Sequence, residues 1–126
     1  MSATAGGTRL AGRLVGVGAD FFVLESANGR PALVVTAAAT SVSSLPEGPP
    51  SGFPGGDRRP ALNLSLLGAL DALSEERSPL AVRAGGITFE GELWSVGEDV
   101  VTLRGNGIRR SMVHLASSSL AWCELR

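Results

Sequence analysis

The chain has no lysine, one histidine and one cysteine among its 126 residues. All eleven basic residues are arginine and they are balanced by twelve acidic residues, so the formal net charge is -1. Such a balance creates no long-range field that would attract nucleic acid or an acidic membrane surface. A single cysteine, Cys123, cannot form an internal disulfide, so the sequence gives no sign of an oxidising compartment. We expect a cytoplasmic protein.

Long apolar runs are also absent. No window approaches the roughly 18 apolar residues that span a bilayer, and residues 1–9 do not form the apolar core of a signal peptide. We therefore expect no association with a membrane.

Residues for catalysis are sparse. His114 and Cys123 fall on different predicted strands, and neither has a base or carboxylate partner at a recognisable spacing. The acidic residues are scattered, Gly16 and Gly18 lack the rest of a dinucleotide-binding motif, and a chain without lysine has no standard phosphate-binding loop. We predict a protein that is not an enzyme and that holds no metal or cofactor.

An internal repeat is the most informative feature that is present. Residues 12–24 align without a gap with residues 91–103, an offset of 79 positions. The identical pairs are Gly12/Gly91, Leu14/Leu93, Val17/Val96, Gly18/Gly97, Asp20/Asp99 and Leu24/Leu103. We expect the same offset to continue through Arg30/Arg109, Val34/Val113 and Ala37/Ala116. The repeat predicts two diverged copies of one small all-β unit.

Each copy has the pattern of short strands joined by tight turns. Apolar and polar residues alternate before Gly18 and Gly97, and β-branched or aromatic residues follow the two turns. The Asn-Gly pairs at 28–29 and 106–107 are strong hairpin signals, because both central positions of a type I′ turn need a positive φ. Further strands are predicted over about 32–36, 41–45, 109–115 and 120–125.

The segment between the copies divides into two parts. Residues 46–60 are rich in proline, glycine and serine, which indicates a disordered linker. Four leucines then recur at helical spacing opposite polar residues, which predicts one amphipathic helix that ends before Pro79; they are Leu62, Leu66, Leu70 and Leu73. We expect a first β unit over residues 1–45, the linker over 46–60, and the helix with a second β unit over 61–126.

The order of helix, strand, three further strands and a short last strand resembles the Sm-like fold. The resemblance covers most of the chain, with Gly91 where the long second strand of such a barrel bends and Asp99 at the following turn. It implies two tandem small barrels, the first of them lacking its helix and first strand. An alternative is that both copies intertwine into one pseudo-symmetric barrel. The chain also resembles small uncharacterised proteins of high-GC actinobacteria.

Sm-like proteins commonly form rings and bind RNA. Their RNA-contacting turn has an aspartate followed shortly by asparagine, but here Asp20 and Asp99 are followed by apolar residues and threonine. The second contact loop has no arginine in either copy, so the standard route to RNA is missing. Three arginines flank the second Asn-Gly hairpin and are the candidate nucleic-acid or anion contacts: Arg104, Arg109 and Arg110.

The two tryptophans point to protein contacts instead, since aromatic residues are enriched at the centres of interfaces. Trp94 and Trp122 are candidate interface residues, as are the leucines of the helix, which either close their own barrel or bind a second subunit. We predict a non-catalytic module for protein interaction, assembly or regulation, acting as a homo-oligomer or with another protein. An RNA-binding regulator is the alternative, and a third class is a barrel with a small-ligand cavity.

Overall fold

A computed structural model of the chain describes residues 1–43, 64–105 and 111–126. The described residues are mainly antiparallel β-strand with one α-helix, which confirms the predicted fold class at that level. The predicted linker, Leu62 and the Asn106-Gly107 hairpin lie outside the described residues.

The first half of the chain forms six strands. A two-residue turn at Gly6-Gly7, both with positive φ, joins the first two of them. The strands are β1 (Ser2–Ala5), β2 (Thr8–Ala11), β3 (Arg13–Val17), β4 (Phe21–Glu25), β5 (Pro31–Val35) and β6 (Ala39–Ser43).

The second half consists of a helix and five strands. The helix α1 (Leu66–Ser74) begins at Ser65, whose hydroxyl accepts a hydrogen bond from the Gly68 N–H at 3.1 Å, a typical N-cap. The strands are β7 (Pro79–Ala84), β8 (Ile87–Val96), β9 (Val100–Arg104), β10 (Met112–Ala116) and β11 (Leu120–Leu125).

The strands form two sheets, with the order β2-β1-β6 in one and β10-β9-β8-β7-β11-β5-β4-β3 in the other. Only Gly12 separates β2 from β3, so the two sheets meet at one bent stretch of chain. Neither sheet closes into a barrel within the described residues.

The two halves have the same pairing scheme. The first strand of each half pairs with its last strand, as Ala3 with Val42 and Val82 with Cys123. In each of these pairings one residue of the last strand has no partner in the register, Thr40 in β6 and Ala121 in β11. The irregularity of the pairing therefore recurs as well. We call β1–β6 the first repeat and β7–β11 the second repeat.

This equivalence corrects two expectations from the sequence. A first strand was expected to be missing from the first repeat, but β1 is present; Gly6-Gly7 turns the chain so tightly that four residues before it suffice. The constant offset of 79 is also wrong beyond Leu24/Leu103. Ala32 pairs with Leu24 in the first repeat, and Val113 pairs with Leu103 in the second. The offset between equivalent residues therefore rises from 79 to 81. The cause is that the second hairpin loop is longer by two residues.

The residue pairs expected after that loop are therefore wrong in register. Val34 corresponds to Leu115 and not to Val113, and Ala37 corresponds to Ser118 and not to Ala116. Arg30/Arg109 cannot be compared, since Arg109 lies outside the described residues.

Candidate functional site: two strand edges and an apolar pocket

The two repeats join through β11 of the second and β5 of the first. These strands pair antiparallel, with Trp122 opposite Val34, Cys123 opposite Leu33 and Glu124 opposite Ala32. The backbone groups along one strand edge of each repeat are thereby hydrogen-bonded to the other repeat within one chain.

Side chains reinforce this junction on both faces. Phe21 and Leu33 of the first repeat are buried in the core cluster of the second repeat, which also contains Cys123. On the other face, Trp122 is buried in the core cluster of the first repeat, and among the described residues its indole N–H has no hydrogen-bond partner. The candidate interface residue Trp122 thus belongs to an interface inside the chain.

The strands equivalent to β11 and β5 have unpaired edges. β6 ends the three-stranded sheet and β10 ends the eight-stranded sheet, so each has an edge that no strand of the described residues covers. By the offset of 81, β6 corresponds to β11 and β10 corresponds to β5. The unpaired edges of β6 and β10 are therefore the counterparts of the two that pair at the junction, while β2 and β3 end the sheets on the other side.

Large apolar side chains are exposed on these edges. Val42 on β6 is 46% exposed and Met112 on β10 is 43% exposed, while Val100, which faces Ala116 across β9 and β10, is 38% exposed. Their counterparts at the junction are Cys123, Pro31 and Phe21, of which Cys123 and Phe21 are fully buried. The edge residues have the apolar character of the junction without its burial.

His114 lies on the unpaired edge strand β10, exposed, with its Nδ1 2.9 Å from the hydroxyl oxygen of Thr102 on β9. It occupies the position that the buried Leu33 holds in the first repeat. The chain's one histidine therefore faces a strand edge and makes a contact within its own hairpin.

An apolar pocket of about 280 Å³ opens in the first repeat beside β6. Its lining comes from the N-terminus, β3, β4 and the stretch leading into β6, and consists of Met1, Val17, Phe22, Thr36, Ala39 and Val42. The third functional class considered from the sequence, a ligand-binding barrel, required an apolar cavity of this kind. Among the described lining residues only Thr36 is polar, so few described groups converge there to orient a ligand.

The leucines of α1 close the second repeat. Leu66 and Leu70 are buried in the core cluster of that repeat, and Leu73 packs against it. All three side chains pack inside the second repeat in this structure, and Leu62 lies outside the described residues. The first repeat holds the helix N-terminus, because the Asp20 Oδ1 accepts the Leu66 N–H at 2.7 Å and the Ala19 N–H donates to the Leu64 carbonyl at 2.9 Å.

Arginine side chains cover the half-buried Trp94. The guanidinium carbon of Arg77 lies 3.9 Å from the centre of the indole ring and that of Arg104 lies 4.9 Å from it. Arg77 also donates a hydrogen bond to the Trp94 carbonyl from a left-handed backbone conformation with φ of 51°. Arg104 is thus engaged in a cation–π contact. The other two candidate anion contacts, Arg109 and Arg110, lie outside the described residues.

Cys123 is fully buried, and burial raises the pKa of its thiol from 9.0 to about 12. A thiol that keeps its proton is neither a nucleophile nor a metal ligand at neutral pH. In the part of the chain that the structure describes, no group of three potential metal-ligating residues comes together. No helix within those same residues has the length and apolarity needed to cross a bilayer.

Sequence reasoning did not find the edge of β10, the pocket or the Arg77–Trp94 contact. The sequence carries part of the information about the edges. When two repeats with the same strand order join through one edge of each, the equivalent edge in the other repeat stays unpaired. Comparison of the chain with protein-family models, with curated proteins and with solved structures finds no match in any of the three.

Proposed function

We propose that the chain is a non-catalytic assembly module made of two Sm-like units, in which β6 of one molecule pairs with β10 of the next. The observation that carries this proposal is the junction inside the chain, where the equivalent strands β11 and β5 already pair. The same contact between molecules would use the unpaired edges of β6 and β10.

The junction supplies a register for the contact between molecules. Trp122, Cys123 and Glu124 face Val34, Leu33 and Ala32 inside the chain. Moving each strand to its counterpart places Ser41 opposite Leu115, Val42 opposite His114 and Ser43 opposite Val113. The proposal therefore specifies which residues of the two molecules face each other.

Burial gives this pairing its driving force. Removing Val42, Met112 and Val100 from water stabilises the contact by roughly 25 cal/mol for each Å² of apolar surface that is covered. Pairing also satisfies the backbone groups along both edges, which otherwise invite unspecific association. Such a contact is head-to-tail, because the two surfaces differ, and it closes into a ring or continues as a filament.

The first measurement is the light-scattering mass of purified protein on a sizing column, recorded with the ratio of absorbance at 260 and 280 nm. A defined oligomer without nucleic acid is expected. A monomer at all concentrations would contradict the assembly proposal, and a high ratio that falls after nuclease treatment would favour the RNA-binding alternative.

The register is tested with a pair of cysteines, Val42→Cys and His114→Cys, in one chain under mild oxidation. Directly opposed residues of antiparallel strands lie close enough for a disulfide, so covalent dimers and longer species are expected on a non-reducing gel. The native Cys123 does not interfere, because it is buried and protonated.

The matched control moves one cysteine two residues along β10, as Val42→Cys with Met112→Cys. It keeps the same number of thiols on the same strands but breaks the register, so far fewer cross-links are expected. Equal cross-linking of both pairs would show random collision, and this result would rule out the proposed pairing.

A further inference from the structure

The pocket of the first repeat has a closed counterpart in the second repeat. The repeat equivalence relates Met1, Val17, Phe22, Ala39 and Val42 to Leu80, Val96, Val101, Leu120 and Cys123. Four of these counterparts are buried in one apolar cluster, and Val96 packs against that cluster.

The difference between the two repeats is a helix. The cluster of the second repeat also contains Leu66 and Leu70, which α1 places on that side of the sheet four residues apart. Among the described residues no α-helix covers the corresponding side of the first repeat, and Val42 there is 46% exposed where Cys123 is fully buried.

We propose that the pocket of the first repeat is a docking site for an amphipathic α-helix of a partner protein, with two leucines four residues apart facing Val17, Phe22 and Val42. The site goes beyond the proposed assembly and does not depend on it. Its occupant is identified by the equivalent interface in the second repeat, which shows which secondary structure and which side chains this side of the sheet accepts.

Helix docking and edge pairing are compatible. In the second repeat, Cys123 is paired through its backbone with β5 and is packed through its side chain in the cluster that contains Leu66 and Leu70. The backbone of Val42 can therefore pair with β10 of another molecule while its side chain packs against a docked helix.

The probe is a fluorescein-labelled synthetic peptide with the sequence of residues 64–77, the segment that contains α1. A peptide of this length is barely helical in water, so a hydrocarbon cross-link joins positions 71 and 75, which are exposed in α1. Fluorescence anisotropy is recorded while the full chain is added at concentrations where light scattering shows monomer. Saturable binding is expected, whereas a flat titration would overturn the proposal.

The site is located with matched variants of the full chain. Val42→Asp puts a charge into the pocket and is expected to lower the affinity for the peptide roughly tenfold or more. Ile87→Asp changes another exposed residue, 58% accessible and outside the pocket, and should bind like the native chain. Both positions are exposed, so both variants are expected to fold, which circular dichroism checks.

Two further outcomes decide the nature of the occupant. A peptide with Leu66→Asp and Leu70→Asp should not bind, and its binding as well as the native sequence would overturn the proposal. Loss of peptide binding when the protein is raised to concentrations at which light scattering shows oligomer would assign the pocket to a second copy of the chain, which would also overturn the proposal. Since the titration uses monomeric protein, failure of peptide binding leaves the mass measurement of the assembly proposal unaffected.

Discussion

Two glycines show how single residues allow the bent strands of this protein. A Cβ on Gly12 would lie 2.5 Å from the Glu25 carbonyl oxygen, and one on Gly91 would lie 2.6 Å from the Arg104 carbonyl oxygen. Both distances are shorter than real Cβ contacts, so only glycine lets the crossing strands approach so closely. The two repeats use the same device at the same position.

Gly91→Ala is expected to destabilise the fold by about 1–3 kcal/mol, because the backbone it meets cannot move aside as a side chain would. Urea unfolding followed by circular dichroism measures the loss. Gly97→Ala is the matched control, since its nearest neighbour would lie 3.7 Å away, in ordinary contact. Equal stability of the two variants would refute the close approach at Gly91.

Cys123 gives a second prediction at this scale. Iodoacetamide at pH 8 should leave the native thiol unmodified and modify it fully in denaturant, because burial raises its pKa to about 12. Mass spectrometry of the two reactions provides the test. Rapid modification of the folded chain would show that the thiol is accessible.

The same shift predicts how stability depends on pH. The folded pKa exceeds the unfolded value of 9.0, so this contribution to stability is complete below pH 9 and is lost as the pH rises toward 12. The loss amounts to roughly 1.4 kcal/mol per pH unit in that window. Cys123→Ala should remove this dependence, as urea unfolding at pH 8 and pH 10 would show.

At the scale of secondary structure, α1 is held at its start by its own N-cap and by the first repeat. Ser65 caps it locally, and the carboxylate of Asp20 accepts the Leu66 N–H from the turn between β3 and β4. A negative group at this position also interacts favourably with the positive end of the helix dipole. The turn of the first repeat therefore helps to position the helix that closes the second.

Asp20→Ala is expected to cost about 1 kcal/mol of stability, the usual contribution of one helix-capping contact. The matched control is Asp99→Ala, at the equivalent turn, whose carboxylate makes no hydrogen bond to a helix in the described residues. Thermal unfolding compares the two variants. A loss of similar size in both would show that the Asp20–Leu66 contact does not stabilise the chain.

Much of the secondary structure could be predicted from the sequence. Alternation, the turns at Gly18 and Gly97 and the leucine spacing predicted the strands and the helix, since these signals are local. The strand β1 could not be predicted in this way, because the alternation of Ser-Ala-Thr-Ala spans only four residues and its apolar members are small alanines. The strand is fixed by its pairing with β2 and β6. The contact of Arg77 and Arg104 with Trp94 depends on tertiary structure that brings three separate segments together.

At the scale of the whole molecule, the repeat was visible in the sequence but its junction was not. The offset of 79 could be found from identical residues, whereas the change to 81 appears only when strand partners are compared. Which edges pair is a property of the assembled sheet, so the candidate site on β6 and β10 needed the structure. The sequence suggested Trp122 as an interface residue, and its partner is the other half of its own chain.

The junction inside the chain also restricts the arithmetic of any closed ring built through β6 and β10. Each molecule contributes two β units that cannot separate, so the number of units in such a ring is always even. Junctions within a chain then alternate around the ring with dissociable junctions between chains. The exact rotational symmetry therefore has half the order that the number of units suggests. A ring with an odd number of units is excluded by connectivity alone.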